Sequence, residues 1–134
     1  MLPLHYARRW QVAGILVLIG VLVAALSPAL PDLPQAEVLT DKWLHGFTFA
    51  ILTVWFSGQY ARRAYWRLAI GMLAFGGLIE VCQRMLVYRS AEALDLLADT
   101  IGIAAGLVIA LAGAGGWSLR FENWLHSRVQ EPGR

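Results

Sequence analysis

The chain has 134 residues, of which 58% are hydrophobic and 15% are charged. An average soluble domain has about 45–50% apolar and about 25% charged residues, and the mean hydropathy here is +0.57. One soluble core of this size cannot bury so much apolar surface, which indicates a membrane protein. The net charge of +2 excludes a strongly basic nucleic-acid-binding module, so no nucleic-acid partner is expected. The single cysteine, Cys82, excludes an internal disulfide.

Four apolar stretches each approach the length of about 20 residues that a helix needs to cross a bilayer. They cover residues 11–29, 43–60, 66–87 and 96–116. The sequence therefore predicts an all-α, polytopic membrane protein. We expect a bundle of four transmembrane helices that forms one domain over residues 1–134.

The basic residues predict the orientation of this bundle. With the N-terminus in the cytoplasm, eight arginines lie inside: Arg8, Arg9, Arg62, Arg63, Arg67, Arg120, Arg128 and Arg134. Only Lys42, Arg84 and Arg89 then lie outside. Because positive charge accumulates on the cytoplasmic side, both termini are predicted to be cytoplasmic.

The tail, residues 117–130, has an amphipathic helical pattern. Trp117, Phe121, Trp124 and Leu125 follow one another at i, i+4, i+7 and i+8. Tryptophans favour the headgroup level of a membrane. We therefore expect a helix that lies in the cytoplasmic interface.

Ionisable residues occur in three short clusters within the predicted spans. The clusters are Asp41-Lys42-x-x-His45, Glu80-x-x-Gln83-Arg84 followed by Arg89-Ser90, and Asp95-x-x-x-Asp99. Spacings of three and four place the members of a cluster on one helical face. The predicted topology brings all three clusters to the outer side of the membrane. Since ionisable residues inside spans usually face a cavity, these residues predict an outward-facing polar cup that binds a ligand.

Four glycines lie next to these clusters on the same helical faces: Gly76, Gly77, Gly102 and Gly106. Small residues let membrane helices approach closely. We expect these glycines to pack the helices together below the polar layer.

Several chemistries fit such a cup. Helix N-termini together with Lys42, Arg84 and Arg89 favour a phosphate group. A divalent cation is a possible cofactor, since oxygen ligands suit magnesium or calcium. Its candidate ligands are Glu80, Asp95 and Asp99.

Plainer interpretations stay open beside these. His45 titrates near neutrality and fits a proton carrier, but a buried histidine is more often a hydrogen-bonded core residue. Asp41 and Asp95 also fit simple helix-start residues. Glu80 also fits an ion pair with Arg84 one turn later.

The ordered motifs resemble those of the VanZ-like membrane proteins of bacteria. The motifs are Asp41-Lys42-x-x-His45-Gly46-Phe47, Glu80-x-x-Gln83, Arg89-Ser90 and Asp95-x-x-x-Asp99-x-x-Gly102-x-x-x-Gly106, within about residues 26–112. The namesake of that family is associated with glycopeptide resistance. The resemblance implies a role in the bacterial cell envelope, a location in the inner membrane and a lipid-linked envelope precursor as partner. It supplies no reaction, and Asp99 stands where the family more commonly has Asn.

The expected function is to bind the phosphorylated or glycosylated headgroup of a membrane lipid in the cup. One alternative is a metal-assisted hydrolase or transferase acting on such a lipid, with His45, Glu80 and Asp99 as catalytic residues. Neither an HExxH nor a GxSxG signature supports that alternative. Two further alternatives are a small ion-coupled transporter and a structural or assembly protein without a ligand.

Overall fold

The computed structural model describes residues 1–27, 37–86 and 93–129, and the described side chains exclude those of residues 37–41, 93 and 129. These described residues form helices and no strand, which confirms the all-α prediction. The helices are α1 (Ala7–Leu26), α2 (Glu37–Ser57), α3 (Tyr65–Arg84), α4 (Ala93–Ile109) and α5 (Trp117–Val129). The helices α1 and α2 begin earlier than residues 11 and 43, because their polar first turns are helical as well.

Three helical segments in the described part of the chain are long and apolar enough to cross a membrane. They are Ala7–Leu26, Arg62–Arg84 and Leu94–Arg128. The helix α2 is not one of them, since Lys42 and His45 lower the hydropathy of its N-terminal half. These lengths and compositions are compatible with a membrane protein.

The outer surface of the bundle is apolar on every long helix. In α1 the side chains of Ile15, Leu16 and Val23 are 57%, 62% and 60% exposed, and Gly14 is the buried residue of that helix. In water this surface would carry a large free-energy cost. A hydrocarbon environment removes that cost.

The interior holds a compact apolar cluster contributed by α2, α3 and α4. Its buried members are Phe49, Leu52, Leu68, Met72, Ile79 and Ile103. Partly buried residues of α1, among them Leu18 and Leu22, pack against this cluster. The cluster lies between two polar ends of the bundle.

The chain bends sharply between α4 and α5. Residues Ala110–Ala114 form a π-helical turn, and Gly113 and Gly116 have φ angles of 137° and 72°, which favour glycine. The guanidinium of Arg120 donates hydrogen bonds to the carbonyl groups of Gly113 and Gly115, at 2.8 and 3.0 Å. A straight helix over Leu94–Arg128 would be about 50 Å long, well beyond a hydrocarbon core of about 30 Å. Because of the bend, α5 does not continue along the axis of α4.

The two polar ends are built from different elements. At one end the backbone N–H of Leu2 donates to the carbonyl of Gln59 at 2.8 Å, and that of His5 donates to Glu122 of α5 at 2.6 Å. The start of α1, the α2–α3 connection and α5 therefore meet there. The starts of α2 and α4 and the end of α3 meet at the opposite end.

Candidate functional site

The candidate site depends on close packing between α2 and α4. Gly102 lies directly against the backbone carbonyl of Gly46, so that a Cβ atom there would collide with it. A Cβ on Gly106 would lie 2.7 Å from the carbonyl oxygen of Ala50. Small residues at these positions allow the two backbones to approach closely. As a result, Lys42 and His45 of α2 face Asp95 and Asp99 of α4.

His45 of α2 and Asp99 of α4 form the centre of this polar end. Nδ1 of His45 lies 3.0 Å from Oδ1 of Asp99, and Asp99 is 2% exposed. The other carboxylate oxygen of Asp99 lies against α3, where a Cβ on Gly76 would be 2.7 Å from it. An aspartate in this position fixes the orientation of an imidazole ring.

The cations around this centre are engaged by carboxylates. Nζ of Lys42 lies 4.0 Å from Oδ1 of Asp95, and Nη2 of Arg84 lies 3.6 Å from Oε1 of Glu80. Asp95 and Glu80 are buried, while the side chain of Arg84 is exposed. This geometry matches the alternative expectation for Glu80, which is an ion pair with Arg84 one helical turn later.

A cavity of about 210 Å³ lies beside His45, between α1, α2 and α3. Its walls are mostly apolar: Val21, Ala24, Ala25, Leu44, Phe49 and Ile79. Gln83 lies on the α3 side and donates from Nε2 to the carbonyl of Ala25 at 3.1 Å. Oε1 of Gln83 is buried and accepts no hydrogen bond from the residues that the structure describes. The cavity therefore combines apolar walls with a buried acceptor that lacks a donor.

The structure brings together most of the residues predicted for the polar cup. His45, Glu80, Gln83, Asp95 and Asp99 lie at one end of the bundle, with Lys42 and Arg84 beside them. The side chain of Asp41 and the residues Arg89 and Ser90 lie outside the described part of the chain. Their contribution to the site stays a prediction.

The packing glycines divide into two groups. Gly76, Gly102 and Gly106 lie at close contacts between helices. Gly77 does not, since a Cβ there would meet no heavy atom of the described residues within 4 Å. Adjacent helical positions point about 100° apart, so that only one of two neighbouring glycines faces a given helix.

The described residues include no group of three or more histidine, cysteine or carboxylate side chains arranged to hold a metal ion. Glu80 is paired with Arg84 and Asp99 with His45. Glu80, Asp95 and Asp99, the candidate ligands predicted for a divalent cation, therefore form no such group among the described residues.

A second polar cluster, at the opposite end, was not predicted. Glu122 of α5 is 1% exposed and accepts hydrogen bonds from Trp10 Nε1 and from the backbone N–H groups of Tyr6 and His5. Burial by itself raises the pKa of Glu122, but these hydrogen bonds outweigh it and hold the pKa below its ordinary value. The sequence signal was the i, i+4 pair Ser118 and Glu122, which forms the buried face of α5.

Sequence comparison identifies a fungal relative of this chain. The chain is 34% identical over 117 residues to the uncharacterised protein C11E3.10 of Schizosaccharomyces pombe, a span of 81% of this chain and 69% of that protein. No family model matches the chain. No solved structure matches it either.

The VanZ-like assignment made from the motifs is therefore wrong. No family model supports it, and the relative is a fungal protein. The bacterial envelope role, the inner-membrane location and the envelope precursor had only that resemblance as their basis. The motifs misled because two of them have a simple structural explanation, the Glu80–Arg84 ion pair and the close approach of Gly102 to Gly46. Such pairs and contacts recur in unrelated membrane helices.

Proposed function

The chain belongs to the family of the S. pombe protein C11E3.10, and we propose that it is a multi-span membrane protein that binds the hydroxyl-bearing headgroup of a lipid. The site is the cavity between α1, α2 and α3, beside His45 and Gln83. The observation that supports this proposal is Oε1 of Gln83, which is buried in the wall of that cavity and has no donor among the described residues.

The unsatisfied carbonyl oxygen of Gln83 favours a ligand that can donate a hydrogen bond to it. A buried acceptor without a donor costs about 1–3 kcal/mol, and a ligand hydroxyl that donates to it recovers this energy. Gln83 is oriented by its bond to Ala25, so that its oxygen and not its amide nitrogen is available. The apolar walls suit the hydrocarbon part of a lipid next to a headgroup of this kind.

The same geometry disfavours a phosphate group. Lys42 and Arg84 are the cations nearest the cavity in the described residues, and each lies beside a buried carboxylate. A phosphate would have to displace Asp95 or Glu80 and would meet their negative charge. Of the two headgroup types expected from the sequence, the glycosylated one is therefore preferred to the phosphorylated one.

We place α1, α2, α3 and α4 across the membrane, with α5 at its surface. The helix α5 packs Ser118 and Glu122 against the bundle and exposes Phe121, Trp124 and Leu125. Apolar side chains turned outward at the end of a bundle suit the interface of a membrane. The contact between His5 and Glu122 supports both termini on one side, and the excess of arginine there favours the cytoplasmic side.

Lipid retention tests the proposal. Purified protein would be equilibrated in nanodiscs with equal amounts of a glucosylated diacylglycerol and phosphatidic acid, and the bound lipid would be identified by native mass spectrometry. Wild-type protein should retain the glucosylated lipid. Gln83→Met keeps the side-chain volume but removes the acceptor, and should lower this retention about fivefold to tenfold.

A matched control is available on α1. Gln11→Met makes the same chemical change at an exposed position away from the cavity, and should retain lipid as the wild type does. Loss of phosphatidic acid rather than of the glucosylated lipid in Gln83→Met, or equal loss in both variants, would contradict the proposal. Retention of neither lipid would favour a structural or assembly protein.

A second candidate function follows from the His45–Asp99 pair. A histidine held by an aspartate at 3.0 Å beside a cavity has the arrangement of a general base that activates water or a hydroxyl group. His45 would take the proton, and Asp99 would orient the ring and stabilise the imidazolium. Glu80 fits this role less well, because it is paired with Arg84.

Turnover tests this second function separately. Wild-type protein and the His45→Gln variant would be incubated with the retained lipid, and products would be followed by mass spectrometry. A product formed only by the wild type would make the protein a hydrolase or transferase. Bound lipid that stays chemically unchanged in both samples would contradict catalysis and support a binding function only.

A further inference from the structure

A second groove lies at the opposite end of the bundle, between α1 and α3. Its volume is about 390 Å³, and it is lined by Leu18, Phe56, Tyr60, Arg67, Gly71 and Phe75 among others. Arg67 and Tyr60 lie at one end of this groove, where α2 finishes and α3 begins. Phe75 lies eight residues after Arg67 on α3, about 12 Å further along the helix axis. The groove therefore passes from a polar end to apolar walls.

Arg67 supplies a cation that forms no ion pair with a carboxylate of the described residues. Its guanidinium is exposed and lies 5.1 Å from the ring centroid of Trp66, and no described carboxylate forms an ion pair with it. Glu122, the buried acid at this end, is occupied by hydrogen bonds from α1. This arrangement differs from the Gln83 cavity, where each cation has a carboxylate partner.

Gly71 keeps the groove open. It is exposed, and a Cβ at this position would meet no described heavy atom within 4 Å. The helix thus has a gap one turn beyond Arg67, at the depth where the first carbons of an acyl chain would lie.

We infer that this groove binds one anionic phospholipid, with its headgroup at Arg67 and an acyl chain along Gly71 and Phe75. The charge of Arg67 selects an anionic over a zwitterionic headgroup, and Tyr60 contributes a hydroxyl group at the same level. The site is independent of the proposed function, because it shares no residue with the Gln83 cavity.

The test compares phosphatidylserine with phosphatidylcholine of identical acyl chains, supplied in equal amounts to the purified full chain in nanodiscs. Native mass spectrometry would count the lipids that remain bound. Wild-type protein should retain one phosphatidylserine with a preference of about fivefold, the effect of one basic side chain near an anionic surface. Arg67→Gln should abolish the preference.

Two further variants separate a built site from general surface charge. Gly71→Leu should lower retention of both lipids, because its Cβ enters open space, the rest of the side chain extends into the groove, and leucine favours a helix. Arg63→Gln removes an equal charge at an exposed position of the same end, outside the groove, and should keep the preference. Equal retention of the two lipids by wild-type protein, or equal effects of Arg63→Gln and Arg67→Gln, would overturn the inference. Gln83→Met should leave the preference for phosphatidylserine unchanged. The experiments therefore test the groove at Arg67 and the Gln83 cavity independently of each other.

Discussion

The indole N–H of Trp10 donates a hydrogen bond of 2.8 Å to Oε1 of Glu122, which joins the first turn of α1 to α5. The same carboxylate accepts the backbone N–H groups of Tyr6 and His5. The first N–H groups of a helix have no partner inside the helix and carry partial positive charge. Tyr6 is the N-cap residue of α1, so Glu122 caps this helix from a distant part of the chain and fixes the position of α5 on the bundle.

Replacement of Glu122 by glutamine should destabilise the protein by about 2–4 kcal/mol. The substitution removes a charge that receives three hydrogen bonds and places an amide N–H₂ among buried donors. Thermal and denaturant unfolding in detergent would measure the loss. Asn123→Ala, at the next and exposed position, should change stability by less than about 0.5 kcal/mol. Equal stability of Glu122→Gln and wild type would show that the cap contributes nothing.

The same group should make stability depend on pH. Glu122 lies in α5, which the proposed placement puts at the membrane surface, and its pKa in the folded protein is below the ordinary value of 4.5. Its stabilising contribution is therefore complete above about 4.5 and disappears as the pH falls through the lower pKa of the folded state. Unfolding of wild type and Glu122→Gln between pH 7 and pH 3 should show a stability difference that shrinks with acidification. Other carboxylates affect both proteins equally, so a constant difference would contradict the assignment.

Helical periodicity allowed part of the site to be predicted. Spacings of three and four place Glu80, Gln83 and Arg84 on one face, and the ion pair of Glu80 with Arg84 follows from that spacing alone. The distance between His45 and Asp99 depends on how α2 and α4 rotate about their axes. The sequence only indicated that both residues lie at the same end.

Other features depend on contacts between distant segments and had no clear local signal. Gly76 and Gly77 are adjacent glycines that the sequence does not distinguish. Only the rotation of α3 about its axis places Gly76 against Asp99. Phe121, Trp124 and Leu125 of the stripe predicted for α5 are exposed, whereas Trp117 packs against Trp10 and Trp55. The buried residues Ser118 and Glu122 also face the bundle. The reason is that Glu122 satisfies N–H groups of α1, a requirement that appears only once the two segments meet.

A double-mutant cycle should detect direct coupling between His45 and Asp99. Hydrogen bonds between membrane helices couple by about 0.6 kcal/mol on average and up to about 1.7 kcal/mol. For this buried pair at 3.0 Å, His45→Ala and Asp99→Ala should be coupled by about 1–2 kcal/mol. Unfolding of both single variants and the double variant would give the value. The pair His45→Ala and Thr100→Ala should be additive, because Thr100 is exposed and bonds within α4. Additivity of the first pair would show that the 3.0 Å contact carries no energy.

The packing of α2 against α4 predicts opposite effects for two glycine-to-alanine changes. Gly102→Ala should destabilise the protein by about 3 kcal/mol, because its Cβ collides with the backbone carbonyl of Gly46 and the helices must separate. Gly77→Ala should be neutral or stabilising by up to about 1 kcal/mol, since its Cβ enters open space and alanine favours a helix. Unfolding of both variants in the same detergent provides the measurement. Since Gly102→Ala would also move Asp99 away from His45, it should weaken lipid retention at the Gln83 cavity, whereas Gly77→Ala should not. Equal stability of the two variants would show that α2 and α4 do not pack through Gly46 and Gly102.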